Sequence, residues 1–268
     1  MNLGIIGAGN MGTALIRGIL RHFKIDNLNI YVHELDKTKI SNLEDLNIIF
    51  ESVLTTFINN VDTIILAVKP KNVEEILLNI RSVLYKKLFI SIASGIPIDF
   101  YMKIMGTDKK IVRVMPNTPA LVGEGMTCIS YSKNIEKSEK ETTKNIFKSV
   151  GKIKEIDESL MDSIVSLSGS SPAYIFILIE AMADAAVLEG ISRDVAYEIA
   201  AQTVLGSAKM VLETKLHPGV LKDQVCSPAG TTIEALSKLE EYGFRNAIIK
   251  AMSECSKKSV EISKKFKK

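Results

Sequence analysis

Leu3–Leu20 reads LGIIGAGNMGTALIRGIL, and the order of its parts decides the fold. Leu3–Ile6 is a short apolar run of strand character. It breaks directly into Gly7-Ala8-Gly9-Asn10-Met11-Gly12, a GxGxxG pattern. Met11, Leu15 and Ile19, with Ala14 and Gly18 beside them, then recur at helical spacing. A lone GxGxxG is a weak signal that many surface loops meet. Between a strand and the opening of an amphipathic helix it acquires a physical purpose. Gly7 allows the tight turn, Gly9 lets a pyrophosphate approach the backbone, and Gly12 lets helix and strand pack closely. The free N–H groups at the helix start lie at the positive end of its dipole and suit the anion. Ile6 through Gly12, including Ala8, Asn10 and Met11, is therefore the candidate cradle for a dinucleotide.

Working outward, strand and helix signals alternate. Leu28–Val32 reads as a strand and Lys37–Leu46 as a helix. Thr63–Val68 reads as a buried strand, Val73–Leu84 as a helix, and Leu88–Ile92 and Ile111–Met115 as further strands. Such alternation implies a doubly wound parallel sheet with helices on both faces. Met126–Tyr131 and Lys152–Ile156, with a helix over Glu136–Val150 between them, are candidates to extend it. Ligands of such sheets sit beyond the carboxyl ends of the strands. That edge holds Ala67-Val68-Lys69-Pro70, Ala93-Ser94-Gly95 and the Asn117-Thr118 pair between two prolines. Several small or polar strand ends together suggest a nicotinamide pocket. The second strand runs into Glu34, 22 residues past Gly12, about where an acid accepts the ribose 2′-OH of NAD. Lys37 and Lys39 are the cations close enough to suit the 2′-phosphate of NADP, so both cofactors stay open here.

Near Asp157 the character changes. Ala173–Glu189, Arg193–Leu212, Thr232–Leu239 and Arg245–Lys265 read as helices, dense in alanine, broken at Ser168–Pro172, Ser227–Gly230 and His217–Gly219. The expected domains are 1–157, dinucleotide-binding, and 158–268, all-helical. Thr231-Thr232-Ile233-Glu234 reads as a capping box opening a helix. Its apolar helices predict an obligate dimer.

With 268 residues, the chain carries roughly two domains. Hydrophobic residues at 46% and charged residues at 24% describe an ordinary globular protein. A net charge of +3 gives no case for nucleic acid. Cys128, Cys226 and Cys255 are odd in number and far apart, which suits a reducing, cytoplasmic setting over a disulfide framework. The histidines lack metal-ligand spacing, so no metal site is expected. No signal peptide is expected, and Ser163–Ile179, interrupted by Ser-Gly-Ser-Ser-Pro, does not read as a membrane span.

IGAGNMG (Ile6–Gly12), AVKP (Ala67–Pro70), RVMPNTP (Arg113–Pro119), SGSSPAY (Ser168–Tyr174), HPG (His217–Gly219), LKD (Leu221–Asp223) and SPAGTT (Ser227–Thr232) stand in this order along nearly the whole chain. In these motifs the chain resembles the pyrroline-5-carboxylate reductases. The last motifs are the specific ones. The resemblance implies a Rossmann-like domain followed by a helical dimerisation domain, with a homodimer or a decamer of such dimers as the assembly. It also implies reduction of 1-pyrroline-5-carboxylate to L-proline by NADP(H) or NAD(H). Gly230, Thr231, Thr232 and Asn117 are then the expected substrate-binding residues, with Thr232 in the catalytic role. Three departures stand out. The family usually shows SGSGPAY, where Ser171 stands here, and SPGGTT, where Ala229 stands here; members favouring NADPH often lack an acid at the position of Glu34. A β-hydroxyacid dehydrogenase would want a Lys or His in the first long helix of the second half, and Ala173–Glu189 has neither. A non-catalytic NAD(P)-binding protein would leave SPAGTT without a role.

Overall fold

The computed structural model describes residues 1–22, 28–84 and 86–266. Among the described residues the strands are β1 (Asn2–Ile6), β2 (Asn29–His33), β3 (Ile49–Phe50), β4 (Thr63–Leu66), β5 (Leu88–Ser91), β6 (Lys110–Met115), β7 (Gly125–Tyr131) and β8 (Gly151–Glu155). They form one sheet in the order β3-β2-β1-β4-β5-β6-β7-β8, with the direction of winding reversing between β1 and β4. All neighbours are parallel except β6 and β7, which run antiparallel. The sheet is therefore mixed where alternation alone implied a parallel one. The link from Met115 to Gly125 is shorter than the dozen or so residues a parallel crossover needs.

The central strands are buried on both faces, as their continuous apolar runs require. Ile65, Ile90 and Val112 point into one layer with Leu15 and Ile19 of the helix Asn10–His22 and Phe147 of the helix Lys137–Lys148. Ile64, Leu66, Phe89 and Ile111 point into the other. There they meet Phe57, Leu77 and Tyr101 of the helices Leu54–Asn60, Val73–Ile80 and Ile98–Met105. Each fully buried aliphatic side chain contributes about 1.5–3 kcal/mol, so the sheet is held from its centre and not from its edges.

Packing divides the chain into one unit of Met1–Ser170 with Cys255–Lys268 and a second of Ser171–Glu254. This cut comes later than the compositional change at 157/158 and returns the end of the last helix, Phe244–Lys265, to the first unit. Ser259 and Ser263 donate to Asp162 at 2.9 and 2.8 Å, and Phe266 packs edge-on against Phe100. The second unit is wholly helical among its residues, with Ser171–Leu188 and Arg193–Thr214 packed together and Ala183, Ala196 and Ala200 buried. Its large apolar side chains are mostly open, Phe176, Ile177 and Leu212 among them. Glu158–Leu188 is a helical run long and apolar enough to cross a membrane, and almost none of it is buried within the chain.

Candidate active site

The glycine loop leaves β1 at Ile6 and enters the helix at Asn10. Gly7 has φ +98° and its N–H donates to His33 O at 2.9 Å, tying the loop to the end of β2. A Cβ at Gly12 would stand 2.2 Å from Gly7 O, so helix and loop approach as closely as glycine permits. A Cβ at Gly9 would meet nothing within 4 Å. The loop thus has a closed back and an open front, which fits a pyrophosphate lying against Gly9 and the start of the helix.

The other strand ends gather on the same edge of the first unit. Ala67 follows β4, its N–H donating to Ile6 O at 2.8 Å, and Val68 leads to Lys69 and the short turn that Pro70 opens. Ala93, Ser94 and Gly95 follow β5 on the next strand out. Ala93 N donates to Ser91 Oγ at 3.2 Å, and Ser91 shares a buried hydrogen bond of 2.5 Å with Tyr101.

Glu34 lies just past β2, its side chain only 10% exposed. One carboxylate oxygen accepts from Ala8 N at 2.8 Å, the other from Leu35 N and Asp36 N at 2.9 and 3.0 Å. Partial burial works to raise the carboxyl, but these N–H groups and Lys39 outweigh it and hold it below the ordinary carboxylate range. The helix expected over Lys37–Leu46 is only Lys37–Ser41, and Asp36 caps it through Thr38 N.

Asn117 is buried beyond β6. Its oxygen accepts from Met126 N at 2.8 Å and its amide nitrogen donates to Ser168 O at 3.1 Å. It pins RVMPNTP to β7 and to the serine-rich motif, leaving one N–H and one lone pair of the amide. Ser168 itself lies in a π-helical turn, Val165–Gly169, where Ser170 N donates to Val165 O at 2.8 Å. Such turns recur at functional sites. Ser171 follows as the first residue of a regular helix, so its side chain is no obstacle there.

The Arg113 network was not foreseen. This arginine, 4% exposed, reaches Glu158 at 3.3 Å and Asp162 at 3.5 Å. Glu158 also accepts from Ile98 N at 2.7 Å, just past the Ala93–Gly95 loop. Asp162 takes the hydroxyls of Ser259 and Ser263. Arg113 in RVMPNTP was the one visible sign, and its partners are too distant along the chain for spacing to reveal.

In the second unit, SPAGTT departs from expectation. The helix Thr231–Glu241 is capped by Gly230, with no side-chain hydrogen bond to its first turn. The expected capping box is absent because the helix starts one residue early, which moves Thr231 and Glu234 to its first and fourth positions. Its leading N–H groups are thus left without a side-chain acceptor. Thr232 is half-buried. Ala229 adopts φ +55°, the left-handed region. His217 caps the helix Pro218–Gln224, its Nδ1 accepting from Gly219 N at 3.0 Å, where the sequence suggested only a break.

Residues 158–262 match the family model described as pyrroline-5-carboxylate reductase dimerisation, and residues 2–95 match that described as NADP oxidoreductase, coenzyme F420-dependent. The chain is 46% identical over 264 residues to the pyrroline-5-carboxylate reductase of Escherichia coli, covering 98% of both chains. It is 43% identical to that of Methanosarcina acetivorans over 98% of both. Among solved structures, Plasmodium falciparum pyrroline carboxylate reductase with NADP bound superposes with a TM-score of 0.91 at 35% identity, over 98% of each chain. The open apolar run Glu158–Leu188 lies within the dimerisation match.

Proposed function

The chain belongs to the pyrroline-5-carboxylate reductase family, and from that premise we propose which residues carry its reaction. The protein reduces 1-pyrroline-5-carboxylate to L-proline, the last step of proline biosynthesis. When bound, NADP(H) or NAD(H) supplies the hydride. The observation that carries this reading is the match at 46% identity over 98% of both chains, because it runs through both units.

Ile6–Gly12 holds the pyrophosphate, Glu34 the adenosine ribose, and Ala67–Pro70 with Ala93–Gly95 the nicotinamide side. The open front at Gly9 supports this assignment. The substrate is a cyclic imine already electrophilic at carbon 5 when protonated, so the chain's work is binding and orientation. The start of the helix Thr231–Glu241, which no side chain caps, suits the substrate carboxylate, received by the N–H group of Thr231. The Gly230 N–H is already given to Ser227 O at 3.0 Å, so Gly230 serves by shaping the turn and not, as the sequence suggested, as a donor. The Thr232 hydroxyl orients the ring nitrogen or the carboxylate. A hydroxyl is too weak an acid to protonate the imine, which arrives protonated or takes its proton from water. Asn117 contributes its remaining N–H while holding the loop that carries it.

The protein is a homodimer through its dimerisation segment. The division of labour falls at 1–157 for the dinucleotide and 158–268 for substrate and dimer, and the dimers assemble into decamers in the cytoplasm. Three free cysteines are consistent with that compartment. No nucleic acid, membrane or metal takes part. Purified protein given pyrroline-5-carboxylate and each reduced cofactor in turn consumes the cofactor and releases proline. Folded protein that leaves the reduced-nicotinamide absorbance unchanged with both cofactors overturns the reading.

A further inference from the structure

The geometry points to Glu34 as the residue that makes this reductase favour NADH over NADPH, an inference that rests on the cofactor site proposed above. Two facts about its surroundings carry it. The first is that the carboxylate cannot swing aside. Three backbone N–H groups, from Ala8, Leu35 and Asp36, hold its two oxygens between the glycine loop and the turn after β2. An acid fixed at the end of the second strand accepts hydroxyls of the adenosine ribose. NADPH carries a phosphate dianion in place of one of those hydroxyls. It offers this carboxylate no donor there and adds like-charge repulsion.

The second fact is that the nearest cation is already engaged. Lys39 Nζ stands 3.7 Å from Glu34 and 3.5 Å from Asp36, shared between two carboxylates. The group Glu34, Asp36 and Lys39 is therefore net negative where a 2′-phosphate would need positive charge. Asp36 is held in turn by Thr38 N and Thr38 Oγ1 at 3.0 and 2.6 Å. The helix Lys37–Ser41 has one turn and its own cap, so it offers no spare N–H cluster to a phosphate. Lys37 is exposed and has no ion-pair partner among the described residues. It is the cation through which NADPH retains residual binding. His33, the residue before Glu34, is buried and engaged through its Nδ1 with Glu51 O at 2.9 Å.

Calorimetric titration of the dimer with NADH and with NADPH, free of substrate, tests this apart from turnover. The expected wild-type result is NADPH binding at least fivefold more weakly, the factor given by about 1 kcal/mol of like-charge repulsion near 4 Å in water. Glu34→Gln removes the charge and keeps one oxygen for Ala8 N–H, while its amide nitrogen replaces the oxygen that accepted from Leu35 and Asp36 N–H. The variant should tighten NADPH at least fivefold and weaken NADH, which loses a charged acceptor for its ribose hydroxyls, with the kcat/KM ratio following. Wild type that binds NADPH as tightly as NADH overturns the inference, whatever becomes of the variant. So does a Glu34→Gln that shifts both cofactors alike, since the carboxylate would then only brace the glycine loop. Loss of turnover with an intact NADH preference would instead sink the reductase reading and leave the discrimination standing.

Discussion

Ala229→Gly should make the protein more stable. Ala229 holds φ +55° in the turn before the helix Thr231–Glu241, and an L-residue there is strained by about 1–2 kcal/mol. Glycine removes that strain. It also gains freedom in the unfolded chain, which offsets about 0.5–1 kcal/mol. The methyl group is exposed, so its loss removes little buried surface. The net gain is then about 0.5–1 kcal/mol, or roughly 1–4 °C in Tm for a chain of this size. Ser171→Gly is the control with opposite sign. Ser171 opens a regular helix, so glycine there should cost a few tenths of a kcal/mol. Both substitutions restore the usual family residue, and the backbone predicts that only one of them helps. Calorimetric melting at one fixed protein concentration measures both, because dimer stability depends on concentration. If Ala229→Gly lowers Tm by a degree or more, the turn is not left-handed at this position.

Two further outcomes follow from the site. Thr232→Val should lower kcat/KM for pyrroline-5-carboxylate roughly 10- to 150-fold, the loss of one hydrogen bond to a charged group, with Tm unchanged; full activity would reduce Thr232 to a structural residue. Arg113→Met should lower stability by about 2–4 kcal/mol in urea unfolding, below the range for a fully buried pair because Glu158 is about a third exposed. The triple variant Arg113→Met, Glu158→Gln, Asp162→Asn should recover most of that loss, and a triple variant no more stable than the single one would show that charge isolation is not the cause.

The glycine cradle was legible because every signal for it is local: strand, GxGxxG and amphipathic helix are contiguous in Leu3–Leu20. The buried strands were legible for the same reason, Thr63–Leu66 being apolar throughout. The helices Leu54–Asn60 and Ile98–Met105 were missed. The first is short and half polar, and the second starts behind Pro97 in a stretch with no periodic gap. β3 has two residues and no pattern to read. The capping box failed because the helix begins one residue before the place that TTIE assigns it, with Gly230 capping through its backbone alone. The Arg113 cluster was invisible because Glu158, Asp162, Ser259 and Ser263 converge only when the chain's last helix returns to the first unit.

The two rims of the sheet have a bearing on solubility. β3 is too short to template a neighbouring chain, and β8 exposes Lys152, Lys154 and Glu155, with Glu155 paired to Lys144 at 2.7 Å. An unpaired strand edge recruits further strands unless it is brief or charged. Here one border is brief and the other charged, so ladder-like growth from the sheet is blocked at both ends. Subunits are left to recognise one another through helices alone, and a lysine-to-valine change at position 152 or 154 would open a route to fibrous association without touching the catalytic apparatus.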